Sequence, residues 1–247
     1  MCRSSWPSRE VRPPVRSIHI HKAGGTTFHV LSKRHGEVKV DSGVKGDCEI
    51  DFSNPCDTIE RTRFGKEPMT FASCELAVEI PLCPYALYHA VFREPVQRVI
   101  SHALFSKADM DLYYNEVLWH GNIDFSGKSE LGYHIDNQDH QVKMLVSANQ
   151  FDRMFNAINE VHLERAKALV RRMCLVSTLE NLDRNMWNHF SVFAWDFAAL
   201  EEEEKKKVRV HSVPAQMVGD RREFLHAIEE QVRFDTMLYR YVQSICV

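Results

Sequence analysis

Ser17-Ile-His-Ile-His-Lys-Ala-Gly-Gly-Thr-Thr-Phe28 is the stretch that decides the predicted fold. Ile18 and Ile20 alternate with polar residues, which indicates a strand entering a sheet. The glycine pair allows the backbone to approach an anion, and the N-terminus of a following helix presents unpaired N–H groups with a partial positive charge. Lys22 adds a charge, and the threonines add donors. The stretch predicts a phosphate-binding turn, with an ordinary strand-to-helix turn as the structural alternative.

The composition is that of one globular domain. The chain has 247 residues, of which 44% are hydrophobic and 26% charged, and its formal net charge is −3. This balance argues against a surface built for nucleic acid, although a local basic groove is compatible with it. The seven cysteines include no CxxC pair, which argues against a zinc ribbon. Cys48 and Cys56 are candidates for a disulfide, with free thiols as the alternative.

Alternating strand and helix patterns predict an α/β fold with a mostly parallel central sheet flanked by helices. Residues 1–16, rich in Pro, Arg and Ser, are expected to be a disordered lead to a single domain at 17–247. Loop excursions are expected at 36–84 and 109–135, with a strand-like segment at 69–80 and a buried strand at 85–92. Helices are expected at 26–35, from Pro95 onward, at 139–147, 162–173 and 181–197, and from about 220. No stretch is apolar enough to span a membrane.

Phe92-Arg-Glu-Pro-Val-Gln-Arg-Val-Ile-Ser101 is the second informative stretch. Arg93 at the end of a strand is suited to paired hydrogen bonds with a phosphate. Ser101, on the helix that follows, can donate its hydroxyl to the same group. The structural alternative is an arginine–glutamate pair at the start of a helix.

Both stretches resemble segments of the carbohydrate sulfotransferase family. The first is similar to that family's 5′-phosphosulfate loop, typically His-Ile-Pro-Lys-Thr-Gly-Gly-Thr, and departs from it at His21 and Ala23. The second is similar to the 3′-phosphate segment Leu-Arg-Glu-Pro-Val-x-Arg-x-x-Ser. The residues that match this segment are Arg93, Glu94, Pro95, Val96, Arg98 and Ser101. Looser similarities to later family segments occur at 141–145, 175–183 and 235–239.

The resemblance implies a P-loop-like sulfotransferase architecture. It implies an enzyme that moves a sulfuryl group from 3′-phosphoadenosine 5′-phosphosulfate (PAPS) to an acceptor hydroxyl, on a carbohydrate, without a metal. Lys22 would stabilise charge on the leaving oxygen, and Arg93 and Ser101 would bind the 3′-phosphate. The residues implied to bind the 5′ end of the donor are Lys22, Ala23, Gly24, Gly25, Thr26 and Thr27. The family implies the Golgi lumen, whereas a complete chain without an anchor would be soluble and cytoplasmic.

The reaction also needs a general base for the acceptor's proton. In many relatives a histidine precedes the strand that leads to Arg-Glu-Pro, but the corresponding stretch 70–76 has none. It does contain Glu75 among apolar neighbours, and partial burial raises the pKa of a carboxyl group toward neutrality. Glu75 is therefore the first candidate, with a structural ion pair as the alternative. His29 and His102 are the reserve candidates.

Three other functions would each require a different set of residues. A P-loop kinase needs a lysine after the glycines and acidic magnesium ligands, and neither pattern is present. A zinc hydrolase would use His19 and His21, on one side of a strand, with a third histidine. A sulfotransferase-like protein that binds nucleotide or glycan without catalysis is the main alternative, because the base is not obvious from the sequence.

Overall fold

The computed structural model describes residues 7–8, 12–37, 70–74, 82–84, 86–106, 110–120, 123, 137–146, 157–196 and 222–245. These residues form an α/β fold in which a parallel sheet packs against helices. The elements in chain order are β1 (Val15–Ile18), α1 (Gly25–Arg34), β2 (Phe71–Cys74), β3 (Leu87–Phe92), α2 (Pro95–Phe105), α3 (Met110–His120), α4 (His140–Val146), α5 (Glu160–Val170), β4 (Leu175–Thr178), a 3₁₀ turn (Leu179–Asn181), α6 (Leu182–Phe193), α7 (Arg222–Gln231) and α8 (Arg233–Ile245). None of the described helices is long and apolar enough to cross a membrane.

The four described strands form one all-parallel sheet in the order β2-β1-β3-β4, which confirms the expected parallel arrangement. Val15 of β1 lies opposite Phe71 of β2 and Leu87 of β3, and Phe92 of β3 lies opposite Thr178 of β4. Every residue of β3 is buried, as its continuous apolar sequence predicts.

The order of the strands creates a crevice at the carboxyl ends of β1 and β3. The chain leaves β1 through α1 and forms β2 on one side of β1, whereas β3 lies on the other side. In open α/β sheets, such a change of direction is where ligands commonly bind, outside the carboxyl ends of the two strands. The two stretches that the sequence predicts to bind phosphate follow β1 and β3, so the topology places both at this crevice.

Two apolar cores cover the two faces of the sheet, because successive side chains of a strand point to opposite faces. Tyr88, Ala90 and Phe92 of β3 belong to one core together with residues of α4, α5 and α8. Leu87 and Val91 belong to the other, together with residues of α1 and α6. A third cluster joins α2, α3 and α7. The helices therefore lie on both faces of the sheet, as expected.

The domain begins earlier than the sequence pattern suggests. β1 starts at Val15, inside the segment expected to be a disordered lead. The buried guanidinium of Arg12 donates to the carbonyl oxygens of Phe193, at 2.8 Å, and Thr70, at 3.0 Å, and forms an ion pair with Glu37. The partners of Arg12 are distant in the sequence, so the composition of the segment did not indicate that Arg12 is buried.

The expected loop excursion at 109–135 contains a helix, α3. Its Tyr113 and Val117 are fully buried, and Tyr113 packs edge-on against Phe224 of α7. The helix was missed because its apolar residues occur on several sides: Leu112 is exposed. The single helix expected from about 220 is two helices that meet at Val232.

Asp139 and Asp235 cap the N-termini of each other's helices. Asp235 accepts the N–H groups of Gln141, at 3.0 Å, and Val142, at 2.8 Å, in α4. Asp139 accepts those of Phe234, at 2.9 Å, and Asp235, at 3.0 Å, in α8. Burial raises the pKa of both carboxyl groups, and the charge of Asp139 adds to the effect at Asp235. The reciprocal caps fix α4 against α8.

We expect Asp235→Ala to lower the free energy of unfolding by about 2–4 kcal/mol, because two buried N–H groups lose their acceptor. The control is Asp183→Ala, at an exposed position in the first turn of α6, which should cost less than about 1 kcal/mol. Urea denaturation followed by circular dichroism measures both values. Equal losses in the two variants would contradict the role of Asp235 as a buried cap.

Candidate functional site

The turn between β1 and α1 places a glycine, which has no side chain to act as a cap, at the N-terminus of α1. Lys22 and Gly24 have φ angles of 63° and 94°. Glycine adopts such angles readily, whereas lysine does so at a cost of about 1–3 kcal/mol. Gly24 is the N-cap residue, no side-chain cap is seen there among the residues that the structure describes, and the first turn of α1 carries no acidic residue. The helix N-terminus therefore presents its N–H groups and partial positive charge to the crevice.

Both glycines of the turn are required by close packing. A Cβ atom on Gly24 would lie 2.7 Å from Cδ1 of Leu179, and one on Gly25 would overlap the imidazole of His19. His19 itself is buried. The glycine pair thus allows α1 to begin directly against the residues that follow β1 and β4.

Arg93 joins the two motif segments. Its Nη1 donates to the carbonyl oxygen of Lys22 at 3.0 Å. Its backbone is held by the side-chain amide of Gln141: the Arg93 N–H donates to Oε1 at 3.0 Å, and Nε2 donates to the Arg93 carbonyl at 2.9 Å. Burial lowers the pKa of Arg93, against the opposing effect of Glu180. The arginine therefore supports the positive-φ turn at Lys22 from the neighbouring strand.

Glu94 caps the second helix of the site. Its carboxylate accepts the N–H groups of Val96, at 3.2 Å, and Gln97, at 2.7 Å, and Pro95 occupies the first helical position. The Glu94 N–H donates in turn to Glu180, at 2.9 Å. The N-terminus of α2 is thus already neutralised by a carboxylate. An anion in the crevice is therefore favoured at α1 rather than at α2.

The remaining predicted phosphate ligand, Ser101, is partly buried on α2. Arg98, on the same helix, is fully buried and donates from Nη2 to Asn137, to its carbonyl oxygen at 3.1 Å and to Oδ1 at 2.9 Å. Arg98, although it matches the second motif, therefore stabilises the interior of the fold, whereas Arg93 lies at the crevice.

A histidine cluster, formed by His21, His102 and His140, lies beside the turn. His21 Nδ1 is 3.1 Å from His140 Nε2. The rings of His21 and His102 stack with centroids 5.8 Å apart and an interplanar angle of 17°, and the centroids of His102 and His140 are 6.4 Å apart. Nζ of Lys22 lies 3.9 Å from the ring centroid of Phe105. His140 was not identified from the sequence, because it is 119 residues from His21 and belongs to no motif.

The arrangement expected for a zinc hydrolase is not observed. β1 ends at Ile18, so His19 and His21 do not share one side of a strand. His19 packs beneath Gly25, and His21 contacts His140. Within the described ranges, no group of three or more His, Cys, Asp or Glu side chains is arranged to hold a metal ion.

The remaining residues singled out from the sequence lie either outside the described residues or on α1 and the turn before it. Glu75, the first candidate base, lies outside the described residues, as do Cys48 and Cys56. His29 is partly buried on α1, and Ala23 is buried in the core over one face of the sheet. Thr26 and Thr27 are the second and third residues of α1.

No model of a known protein family matches this chain, and no curated protein matches it either. The crevice combines an uncapped helix N-terminus, Lys22 and Arg93, which together suit an anionic ligand with more than one charged group. The histidine cluster adds imidazoles that can exchange protons.

We expect Gly25→Ala to destabilise the protein by about 1–3 kcal/mol, because the new methyl group must displace the buried imidazole of His19. Val30→Ala, on the exposed side of the same helix, is the matched control and should change stability by less than about 0.5 kcal/mol. Urea denaturation measures both. Wild-type stability in Gly25→Ala would show that the turn has room for a side chain.

Proposed function

We propose that the protein is a sulfotransferase that moves the sulfuryl group of PAPS to an acceptor hydroxyl on a carbohydrate. The observation that carries this proposal is the hydrogen bond of 3.0 Å from Arg93 to the Lys22 carbonyl oxygen. It joins two motif segments whose bonded residues are 71 positions apart. A nucleotide with charged groups on both its 5′ and its 3′ oxygens requires two adjacent anion sites.

The donor's 5′ end fits the open N-terminus of α1. There the N–H groups of Gly24, Gly25 and Thr26 would bind its 5′-phosphate, because the N-cap residue Gly24 has no side chain that could accept hydrogen bonds from them. Arg93 and Ser101 would bind the 3′-phosphate, which distinguishes this donor from ATP. A turn of this kind after the first strand of a parallel sheet also supports a P-loop-like sulfotransferase architecture.

The chemistry is a displacement at sulfur in which the enzyme mainly positions the reactants and stabilises charge, by analogy with phosphoryl transfer. Lys22 would stabilise the charge that builds on the oxygen between sulfur and the 5′-phosphate. Its ammonium group now contacts the ring of Phe105, an exposed side chain. Such a cation–π contact contributes about 0.5–1 kcal/mol at an exposed site, less than an ion pair in a partly buried crevice, so a bound donor would draw Nζ toward itself.

Two features bear on the compartment and the acceptor. Cys83 and Cys174 each take part in a disulfide bond, which favours an oxidising compartment such as the Golgi lumen. A net charge of −3 favours a neutral sugar, a small alcohol or a phenol over a heavily sulfated polymer. We therefore propose a sugar hydroxyl with few neighbouring sulfates as the acceptor.

A nucleotide-binding protein without transferase activity is the second candidate. It is favoured by the position of the Lys22 ammonium group, which contacts Phe105. The two candidates share the donor site and differ only in turnover.

We expect adenosine 3′,5′-bisphosphate to bind at least about tenfold more tightly than AMP, because the 3′-phosphate adds charge-assisted hydrogen bonds. Ser101→Ala should reduce this preference while leaving AMP affinity unchanged. Isothermal titration calorimetry gives the affinities, with ATP as the control for a kinase-like site. Equal binding of AMP and the bisphosphate would refute the assignment of Arg93 and Ser101.

We expect Lys22→Ala to lower turnover on the order of 10²–10³-fold, because the lysine acts mainly in the transition state. Its affinity for the bisphosphate should remain measurable. Lys33→Ala, at an exposed position in the last turn of α1, is the control and should keep wild-type turnover. The assay uses ³⁵S-labelled PAPS with desulfated chondroitin oligosaccharides and p-nitrophenol, with and without EDTA. A variant that loses only binding, with full turnover at saturating donor, would make Lys22 an anchor.

A further inference from the structure

We propose that His102 is the proton acceptor of the transfer reaction and that Asn137 is the positioning residue that keeps its Nε2 atom unprotonated. This inference rests on the proposed function and assigns the general base that its mechanism requires. It depends on a network of hydrogen bonds in which each donor and acceptor is determined by the chemistry of its partners.

The orientation of the Asn137 side chain is settled by two partners. One terminal atom of its amide lies 3.0 Å from the carbonyl oxygen of Ile123, which can only accept, so this atom is the nitrogen, Nδ2. The other lies 2.9 Å from Nη2 of Arg98, which can only donate, so it is the oxygen, Oδ1. Nδ2 also donates to the hydroxyl of Tyr113 at 3.1 Å. Because Arg98 and Asn137 are completely buried, water does not compete for these groups.

The same oxygen determines the tautomer of His102. Nδ1 of His102 lies 3.1 Å from Oδ1 of Asn137. An amide oxygen only accepts, so Nδ1 carries the proton and Nε2 of the neutral ring has a lone pair. A buried group that orients an imidazole in this way is the usual support of a histidine that acts as a base.

His102 is the member of the histidine cluster for which the contacts decide which ring nitrogen can accept a proton. His21 Nδ1 and His140 Nε2 bond to each other, and nothing in that contact decides which nitrogen donates. His102 also lies close to the proposed leaving group, because its ring stacks on that of His21, the residue before Lys22. In an in-line displacement the acceptor and leaving oxygens flank the sulfur, so the base belongs near the lysine without contacting the same oxygen.

Its surroundings keep His102 neutral in the absence of a ligand. Burial, and then the charges of Arg98, His21 and Lys22, lower the pKa of His102 to about 3, against the hydrogen bond to Asn137. His140 of α4 is the remaining titratable group of the cluster. A bound donor brings several negative charges, which raise the basicity of a nearby imidazole. The base therefore becomes effective when the donor is present.

The acceptor oxygen forms a bond to sulfur while its proton passes to Nε2 of His102. The bond between sulfur and the oxygen of the 5′-phosphate breaks, and its electron pair leaves with adenosine 3′,5′-bisphosphate, where Lys22 stabilises the charge. His102 afterwards releases its proton to water.

The first test reads the tautomer directly and does not depend on turnover. Long-range ¹H–¹⁵N spectra of ¹⁵N-histidine-labelled protein are assigned with His102→Asn. We expect His102 to be neutral at neutral pH with its proton on Nδ1, and to stay neutral down to about pH 5, below the range of an ordinary histidine. A proton on Nε2, or an ordinary titration near neutral pH, would overturn the proposal.

The second test measures turnover with ³⁵S-labelled PAPS and the acceptors named above. Asparagine at position 102 retains a donor near the place of Nδ1 and lacks Nε2, so His102→Asn keeps the contact with Asn137. We expect its kcat to fall on the order of 10²–10⁴-fold, with bisphosphate affinity within about threefold of wild type. His226→Asn, at an exposed side chain of α7, is the control and should keep wild-type kcat.

The outcomes separate this inference from the proposed function. Normal turnover in His102→Asn, together with tight binding of the bisphosphate, would overturn the role of His102 and leave the sulfotransferase proposal intact. Failure of the wild-type protein to bind the bisphosphate would remove both the proposed function and the reaction in which His102 acts. A variant whose circular dichroism spectrum shows unfolding would be replaced by His102→Gln, judged by the same two readings.

Discussion

The paired hydrogen bonds between the Gln141 amide and the backbone of Arg93 are the interaction on which the crevice depends. Arg93 is the first residue after β3, where its N–H and carbonyl groups leave the sheet, and buried backbone groups need partners. Gln141 lies in α4, whose N-terminus is capped by Asp235 of α8. Arg93 in turn supports the turn at Lys22. The position of the turn thus depends on a helix almost at the end of the chain.

The N-terminus of α1 favours an added negative charge, whereas the surroundings of Arg93 already contain the carboxyl groups of Glu94 and Glu180, both of which raise the pKa of Arg93. The carboxylate of Glu94 faces backbone N–H groups of α2, and that of Glu180 accepts from the Glu94 N–H and from the Tyr239 hydroxyl. Burial lowers the pKa of both Arg93 and His102, so each group resists carrying a positive charge in these surroundings. An anion at the open N-terminus of α1 would reduce that cost. The cationic groups and the uncapped helix are therefore complementary to the same type of ligand.

Local sequence patterns predicted the positions of strands and helices accurately where one kind of periodicity dominated. The apolar run that forms β3, and the proline that opens α2, gave elements close to their observed bounds. Prediction failed where burial came from distant partners. Arg12 is buried and donates to the carbonyl oxygens of Phe193 and Thr70, so residues 12–16 belong to the fold. Helix α3 is covered by α7 although its own pattern is irregular.

The sequence by itself determined two local units: a strand, glycine turn and helix at 17–28, and a strand at 85–92 followed by Arg93 and a helix from Pro95. These follow from side-chain periodicity and turn chemistry within a few residues. Only the tertiary structure decided that the two units are adjacent, since that depends on the strand order β2-β1-β3-β4. The same holds for Gln141, Asn137 and the histidine cluster. The bonds from Asn137 to His102, from Gln141 to Arg93 and from His140 to His21 span 35, 48 and 119 residues, because the packing of whole helices, rather than any local pattern, brings them together.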